Sequence, residues 1–482
     1  FKIGESSVEI GSHYFLRTLE LEDELKDQLP KYGLRFFFTR GGNDELGARL
    51  ELGPSRPSAH PSFHIDRGRF ERALQERCAR AGVELRRGCK VTEIELGPPH
   101  TLRFDDGARQ GALRCRWVID ASGRAELLAR RLKLRQRSRH DIVSAWLRVD
   151  RPYELDQWST DAGFGARNTI PRRLSTNHLV GPGYWMWFIP LAGDRTSVGV
   201  VADPKLHPFD ALRTRDRAQA WLRRHEPQFA ELLARDEARV MDFQPFKRVS
   251  YDARQVFSDA GWFLTGDAGR FLDPLYSPGN DFIAINNTYI VDLITRARRG
   301  EDISARARLW ETDYRNFYMG FLPVYQRQYS VLGTPRVMSL KIMWDFTVYW
   351  GFLSQLFING RLTDDVFMTE ARPLLLALAG LNASVQRLLR QWSAAGDASP
   401  PPAGFVDYLA IPFLRELNAT LVQPVDAPAL YGRLRDNLEL LQTLRGGLFE
   451  AAGREPGDGA AWRSGHPWAP VFERLQLPRP GA

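Results

Sequence analysis

Two short apolar stretches give the strongest indication of the fold: Arg116-Trp-Val-Ile-Asp-Ala-Ser-Gly123 and Gly261-Trp-Phe-Leu-Thr-Gly-Asp267. Each is predicted to be a β-strand that ends in a turn containing glycine and aspartate. A carboxylate at such a strand end can accept hydrogen bonds from a sugar hydroxyl; the alternative is an aspartate that caps the following helix. The two segments alone leave both roles open.

Between these strands, the chain alternates short apolar runs over residues 142–149, 185–191 and 196–201 with a helical pattern near 218–235. This order predicts a mostly antiparallel sheet over 140–250, inserted into the first domain. Within it, Trp185-Met-Trp-Phe-Ile-Pro190 places two indoles two residues apart, so that both point to one face of a strand. Taken alone, such a pair is ordinarily two core tryptophans.

The residues before the first stretch predict a short strand at 63–65 and an amphipathic helix at 67–81, which Gly82 ends. Further strands are predicted at 83–85, 91–96 and 101–104. Beyond about residue 300, long amphipathic runs predict a helical C-terminal region over 301–482. Its aromatic residues at spacings of three and four favour packed helix faces, with a long apolar substrate channel or a membrane surface as the other interpretations.

The composition is that of an ordinary folded protein, with 43% hydrophobic and 26% charged residues in 482. Three cysteines without C-x-x-C spacing predict neither a disulfide framework nor a metal site, and they favour a reducing cytoplasm. No apolar run approaches the roughly 20 residues of a membrane span, and no signal peptide is visible. The net charge of +8 comes mostly from scattered arginines. It reflects either a preference for arginine in the composition or a basic face that binds an acidic partner. No nucleic-acid-binding motif accompanies the charge.

Three separated motifs carry the functional signal. Trp185 to Pro190 spells W-x-W-x-I-P, Phe271 to Gly279 spells F-x-x-P-x-x-S-x-G, and Lys31 follows Pro30 at the entry to a predicted strand over 34–38. A lysine there is ordinarily solvated, but burial among Phe36, Phe37 and Phe38 would lower its pKa toward the neutral amine.

In this order, the three motifs resemble those of the flavin-dependent halogenases. The resemblance covers Phe1 to about Arg299 and implies an α/β, FAD-binding, flavin-monooxygenase-like fold, with 1–300 as the core and 140–250 as its substrate sheet. Gly4-Glu5-Ser6 is similar to the segment that follows the first β-α-β unit of these enzymes. Because no G-x-G-x-x-G turn occurs in the sequence, we expect that phosphate-binding unit to precede it.

The resemblance also implies roles for particular residues. The catalytic set is Lys31, Ser277 and Tyr276. The cofactor-binding set is Glu5, Ser6, Arg67, Asp120, Ser122, Gly266, Asp267, Pro274, Gly279 and Asn280. The wall between flavin and substrate is Trp185, Trp187, Ile189, Pro190 and Phe271. Halide in this family is held by backbone N–H groups after the serine; Pro278 has none, which leaves Gly279 and Asn280 to supply them.

Tyr276 stands where tryptophan halogenases carry a glutamate, which favours a phenolic or carrier-protein-bound substrate over a free indole. The segments Val8-Glu-Ile-Gly-Ser-His-Tyr14 and Gly33-Leu-Arg-Phe-Phe-Phe38 look similar to bacterial members linked with aryl-polyene and dialkylresorcinol pigments. The implied chemistry uses FAD reduced by a separate flavin reductase, oxygen, and chloride or bromide. Lys31 would hold hypohalous acid or form a haloamine.

Two other classes remain open at this point. One is a flavin monooxygenase or polyprenyl-type reductase on the same fold, which would share the two strand-end segments but not usually W-x-W-x-I-P. The other is a non-catalytic flavin-fold subunit that binds a carrier protein or a membrane enzyme.

Overall fold

A computed structural model describes residues 3–236, 239–396, 402–455 and 462–480. Its strands are β1 Leu29–Pro30, β2 Leu34–Phe38, β3 Leu50–Gly53, β4 Phe63–His64, β5 Lys90–Glu95, β6 His100–Asp105, β7 Gln110–Cys115, β8 Val118–Asp120, β9 Arg135–Gln136, β10 Val143–Val149, β11 Thr176–Gly181, β12 Tyr184–Leu191, β13 Arg195–Ala202, β14 Val240–Phe246, β15 Asp252–Ala253, β16 Trp262–Leu264 and β17 Gly404–Asp407.

The α-helices make up most of the second half of the chain. They are α1 Glu9–His13, α2 Glu22–Leu25, α3 Arg67–Arg80, α4 Leu127–Arg131, α5 Ala162–Ala166, α6 Arg215–His225, α7 Pro227–Arg235, α8 Gly279–Arg298, α9 Ser304–Tyr325, α10 Pro335–Val348, α11 Ser354–Ile358, α12 Asp365–Ala395, α13 Pro412–Thr420, α14 Ala427–Ala451 and α15 Ala469–Arg474.

An eight-stranded sheet in the order β14-β10-β13-β12-β11-β2-β3-β17 dominates the molecule. Its strands pair antiparallel except for β11 with β2 and β3 with β17, which are parallel. The predicted antiparallel sheet is therefore confirmed, and strands from outside 140–250 extend it. Because β17 lies beyond residue 400, the helical C-terminal region joins the sheet directly; the domain boundaries stay a prediction.

The central strands of the sheet are buried on both faces. Along β12, Trp185, Trp187 and Ile189 pack into the larger hydrophobic core, whereas Met186 and Phe188 pack into a second core on the opposite face. A strand covered on both sides is nearly all apolar, as β12 is. The prediction that both indoles share one face is confirmed.

The strands formed by the two apolar stretches, β8 and β16, pair with each other. β8 lies parallel to β16, with Asp120 opposite Leu264, so the turn after each strand is at the same edge of this small sheet. Both strands were predicted from the apolar residues that precede each glycine turn.

Local signals explain where several predicted elements begin and end. Helix α3 begins after Asp66, whose side chain accepts hydrogen bonds from the N–H groups of Gly68 and Arg69. The single helix predicted at 218–235 is instead two, because Pro227 begins a new helix. The predicted strand at 83–85 is wrong: this segment forms neither strand nor helix, and its Val83 and Leu85 side chains are 50% and 40% exposed.

The C-terminal helices pack on the sheet and on one another, with the long helices α12 and α14 side by side. Helix α10 is buried on nearly every side. Across the ranges that the structure describes, no helix combines the length and the apolar character needed to cross a membrane.

Candidate active site

A cavity of about 860 Å³, including its part open to solvent, lies between the first domain and the C-terminal helices. The residues that line it come from the chain before α1, from β1 and β2, from the start of α8, and from the C-terminal region. They are Val8, Glu9, Lys31, Gly33, Leu34, Ser58, Ser62, Tyr276, Pro278, Asp281, Gly320, Phe321, Val324, Tyr325, Asp345, Phe346, Val348, Tyr349, Trp350, Asn382, Tyr408, Leu409 and Asn418.

Lys31 lies immediately after β1 and is buried in the cavity wall. Its Nζ donates a hydrogen bond of 2.8 Å to the backbone oxygen of Ser7. Burial lowers the pKa of Lys31 to about 7, against the opposing effect of Glu9 and Asp281. An amine with such a pKa can hold or release a proton near neutral pH, as a group that handles a reactive oxidant requires.

Two carboxylates beside Lys31 were missed from the sequence. Glu9 and Asp281 both line the cavity. Asp281 accepts hydrogen bonds from the Tyr349 hydroxyl at 2.7 Å and from the Gly11 N–H at 2.8 Å. Burial raises the pKa of Asp281 to about 7. The available signal was an acidic residue directly before the apolar run Phe282-Ile-Ala-Ile, where a charge must find partners.

Tyr276 and Ser277 form a strained turn at the start of α8. Both are in the left-handed region, with φ of 71° and 63°, a conformation that costs roughly 1–3 kcal/mol for a residue with a side chain. This turn places the two hydroxyl groups so that they bind different partners. The Tyr276 hydroxyl donates to Asp345 at 2.9 Å, and the Ser277 hydroxyl donates to that of Ser6 at 3.1 Å.

The start of α8, next to the cavity, presents backbone donors that have no acceptor among the residues that the structure describes. Pro278, which lines the cavity, precedes the helix, and the N–H groups of Gly279 and Asn280 come before the first helical bond, from Phe282 N–H to Pro278. Such N–H groups attract anions. The Asn280 side chain donates to the backbone oxygen of Ser6 at 3.3 Å. The halide assignment to these two N–H groups stays a prediction.

At the ends of β8 and β16, the two predicted cofactor aspartates differ. Asp120 accepts hydrogen bonds from the backbone N–H groups of Ser122 at 2.8 Å and Leu128 at 2.7 Å, so its carboxylate caps the local backbone. The Ser122 hydroxyl likewise accepts from the Leu127 N–H at 3.1 Å.

Asp267 has no such local partners. Within the part of the chain that the structure covers, no protein hydrogen bond acts on its carboxylate, and the charges near it are those of Arg67 and Arg124. Burial raises the pKa of Asp267. Gly266 before it has φ of 58°, a left-handed turn that glycine allows without strain. Arg67 and Asp267, predicted together as cofactor ligands, are therefore close enough to interact.

The tryptophan motif lies behind the cavity and not in its lining. Trp185 donates from Nε1 to the Tyr329 hydroxyl at 2.9 Å, and Trp187 donates to the Ser197 hydroxyl at 3.2 Å. The other predicted wall residues, Ile189, Pro190 and Phe271, are also outside the lining of this cavity. The wall between flavin and substrate stays a prediction.

Glu5 connects the N-terminal segment to the tryptophan motif. It is buried, and burial raises its pKa to about 8, although a hydrogen bond from Ser197 opposes this. Its Oε2 has no hydrogen-bond partner among the residues described. Ser197 also accepts from Trp187 at 3.2 Å and from Trp146 at 2.8 Å. Pro274, by contrast, acts through its backbone, accepting from the Ser277 N–H at 3.0 Å.

Comparison with known proteins defines the class to which this site belongs. The family model described as tryptophan halogenase matches residues 3–316. The chain belongs to this family.

Curated relatives of the chain are also named as halogenases. Flavin-dependent halogenase chlA of Dictyostelium discoideum is 25% identical over an alignment 392 residues long, which covers 74% of this chain and 63% of that protein. The 1H-pyrrole-2-carbonyl-[peptidyl-carrier protein] chlorinase of Pseudomonas fluorescens is 27% identical over 279 residues, covering 55% of this chain and 59% of the relative. The chain thus spans about 60% of the length of these relatives.

Solved structures share the fold. Halogenase PltM in complex with phloroglucinol and FAD has a TM-score of 0.60 at 16% identity, covering 95% of this chain and 86% of that chain. The flavin-dependent halogenase CmlS has a TM-score of 0.52 at 22% identity, covering 67% of this chain and 57% of that chain. The expected flavin-halogenase fold is confirmed.

Proposed function

We propose that this protein is an FADH2-dependent halogenase that places chloride or bromide on an electron-rich aromatic ring. The observation that carries the proposal is Lys31, a buried lysine with a pKa of about 7 in the wall of the cavity. A monooxygenase of the same fold has no evident need for an amine at this position, whereas hypohalous acid requires a group that holds it close to the substrate.

FAD fits the residues at the ends of β8 and β16. Asp267 offers a carboxylate that no protein donor satisfies in the described ranges, next to Arg67 and Arg124. This set suits a flavin, since a carboxylate can accept from a ribityl hydroxyl and arginines attract phosphate. Bound FAD, when reduced and supplied with oxygen and halide, provides hypohalous acid.

The chain's own residues would direct that oxidant. Lys31 has one hydrogen bond to Ser7, which leaves further N–H donors on its ammonium for hypohalous acid. As the neutral amine, it can instead react with hypohalous acid to form a haloamine, with the hydroxyl and an amine proton leaving as water. Glu9 and Asp281 favour the protonated form against the effect of burial, so both forms are populated near neutral pH. The N–H groups of Gly279 and Asn280 are the proposed halide contacts.

The substrate, on this proposal, is a phenolic or carrier-protein-bound aromatic. The cavity is lined by aromatic side chains from α9 and α10, including Phe321 and Phe346, which suit a flat apolar ring. The chlorinase from Pseudomonas fluorescens, by its name, acts on a pyrrole held on a peptidyl carrier protein. A flavin reductase would supply FADH2, and three free cysteines favour the cytoplasm as the location.

The test is product analysis by mass spectrometry with a panel of electron-rich phenols, bromide or chloride, a flavin reductase and NADH. We expect a halogenated product that depends on halide, and we expect Lys31→Ala to abolish it while FAD binding and reoxidation continue. Lys205→Ala, at an exposed lysine, is the matched control. Full halogenating activity in Lys31→Ala would overturn the role of Lys31, and a hydroxylated product without halide would favour a monooxygenase.

A further inference from the structure

A second buried lysine and carboxylate lie on α10, remote in sequence from the motifs described above. Asp345 accepts hydrogen bonds at Oδ2 from Lys341 at 2.6 Å and from the Tyr276 hydroxyl at 2.9 Å, and at Oδ1 from Gln386 at 2.7 Å. Lys341 also donates to Gln386 Oε1 at 2.9 Å. All four side chains are buried or nearly so. The carboxylate is therefore held in one orientation by donors from α10, α12 and the strained turn.

This network is oriented toward the cavity. Asp345 and Tyr276 line it, together with Asn382 on α12, whereas Lys341 and Gln386 are not among the lining residues and lie behind Asp345. The positive charge is thus on the protein side and the carboxylate on the cavity side. A pair buried only for stability has no need to present its acceptor to a cavity.

The carboxylate is separate from the Lys31 group in the same cavity. The charges that act on Lys31 are those of Glu9 and Asp281, and the charge that acts most on Asp345 is that of Lys341. The Tyr325 side chain, which also lines the cavity, is close enough to feel the charges of both Asp345 and Asp281, as well as that of Asp273. Because Lys31 and Asp345 both line the cavity, a ring bound in it lies in the same space as both groups.

The chemistry of Asp345 restricts what it can bind. An ionised carboxylate only accepts hydrogen bonds, and its two oxygens offer about four acceptor positions. Lys341, Tyr276 and Gln386 occupy three of them. The remaining position requires a donor, and on an aromatic ring an O–H group meets that requirement without adding a charge.

We propose that Asp345 accepts a hydrogen bond from a hydroxyl on the aromatic substrate, so that the cavity selects phenol-type rings and orients them toward Lys31. This inference rests on the proposed halogenase function and specifies its substrate class. A hydroxyl that donates to a carboxylate also pushes electron density into the ring, which favours attack by an electrophile. Ethers of the same ring lack the donor and lose this contact.

The experiment compares two probes that differ only in the donor: 5-pentylresorcinol and its dimethyl ether. Isothermal titration calorimetry on the full FAD-loaded chain, without halide or reductant, measures the ratio of their Kd values. We expect the wild type to bind the phenol at least about tenfold more tightly, the effect of one charge-assisted hydrogen bond. In Asp345→Asn, we expect the ratio to fall to about threefold or less.

Asp345→Asn leaves the buried Lys341 without its carboxylate partner and can destabilise the fold. A second variant therefore combines Asp345→Asn with Lys341→Met, so that no unpaired charge stays buried. The matched control is Asp292→Asn on α8, a carboxylate that accepts from Trp310 at 2.8 Å and lies outside the cavity lining; we expect it to keep the wild-type ratio. Equal binding of phenol and ether by the wild type, or an unchanged ratio in both Asp345 variants, would overturn the inference. No halogenation occurs in this binding assay, so its outcome does not depend on halogenating activity. Failure of the halogenase proposal would appear separately, in the product analysis described above.

Discussion

The indole of Trp185 donates a hydrogen bond of 2.9 Å to the hydroxyl of Tyr329. Tyr329 in turn donates to Asp273 Oδ2 at 2.9 Å, and His140 is 2.6 Å from the same oxygen. Asp273 lies inside F-x-x-P-x-x-S-x-G, so a buried polar chain connects this motif to W-x-W-x-I-P through a residue of the C-terminal region. The two motifs are parts of one structural unit.

Replacing Trp185 and Trp187 together with Ala tests whether they form a wall or only a core. If they separate flavin from substrate, we expect more hydroxylated product and hydrogen peroxide, and less halogenated product, per NADH consumed. Each lost ring also costs roughly 3–5 kcal/mol of stability, so the yields are measured at a temperature where the variant stays folded. Trp146→Ala removes a buried indole of the same core and should keep the wild-type ratio. A wild-type ratio in the double variant would show that the motif has no part in the chemistry.

Asp267→Ala should weaken FAD binding. Its carboxylate is free of protein hydrogen bonds within the described ranges, and loss of a hydrogen bond to a charged group costs roughly 1–3 kcal/mol, about fivefold to 150-fold in Kd. Asp120→Ala is the control, because that carboxylate binds backbone N–H groups. It should lower the Tm and leave the flavin affinity of the folded protein unchanged. Flavin titration measures both; equal effects of the two variants would contradict the distinction.

The sequence predicted the strands well where composition alone determines them. β12 is an uninterrupted apolar run, and β8 and β16 are short apolar strands that end at glycine turns, so local preference and tertiary burial agree. It could not separate Asp120 from Asp267, because both follow an apolar strand, and only the path of the next turn decides which carboxylate meets backbone N–H groups.

The residues of α10 that form part of the cavity wall could not be predicted from the sequence, for a different reason. Helix α10 is buried all round, so its pattern has no polar face to mark Lys341 and Asp345 as exceptional. The partner of Asp345 is Tyr276, which is 69 residues away in sequence. Only the packing of α10 against the turn before α8 brings these side chains together.

The stability of the protein should depend on pH because of Lys31. Its pKa falls from 10.5 to about 7 on folding, so between these values the unfolded chain holds a proton that the folded chain lacks. Stability from this group therefore rises with pH above about 7. We expect Lys31→Met to have a higher Tm than the wild type near pH 6, and the difference to shrink as pH approaches 10. Lys205→Met should show no such trend, and a constant difference between Lys31→Met and the wild type would contradict the burial of a titrating amine.

Glu5 should show the opposite dependence on pH, because burial raises its pKa from 4.5 to about 8. Between these values, the folded chain holds the proton that the unfolded chain releases, so the stability that this group contributes is present below pH 4.5 and is lost as pH rises through about 8. Gln has the shape of the protonated side chain and cannot ionise. We therefore expect Glu5→Gln to match the wild type in Tm near pH 5 and to exceed it near pH 9, with the exposed Glu76→Gln as control. Thermal unfolding followed by circular dichroism across this range measures the difference. A Glu5→Gln variant that is less stable than the wild type at the alkaline end would mean that Glu5 is ionised and paired in the folded protein.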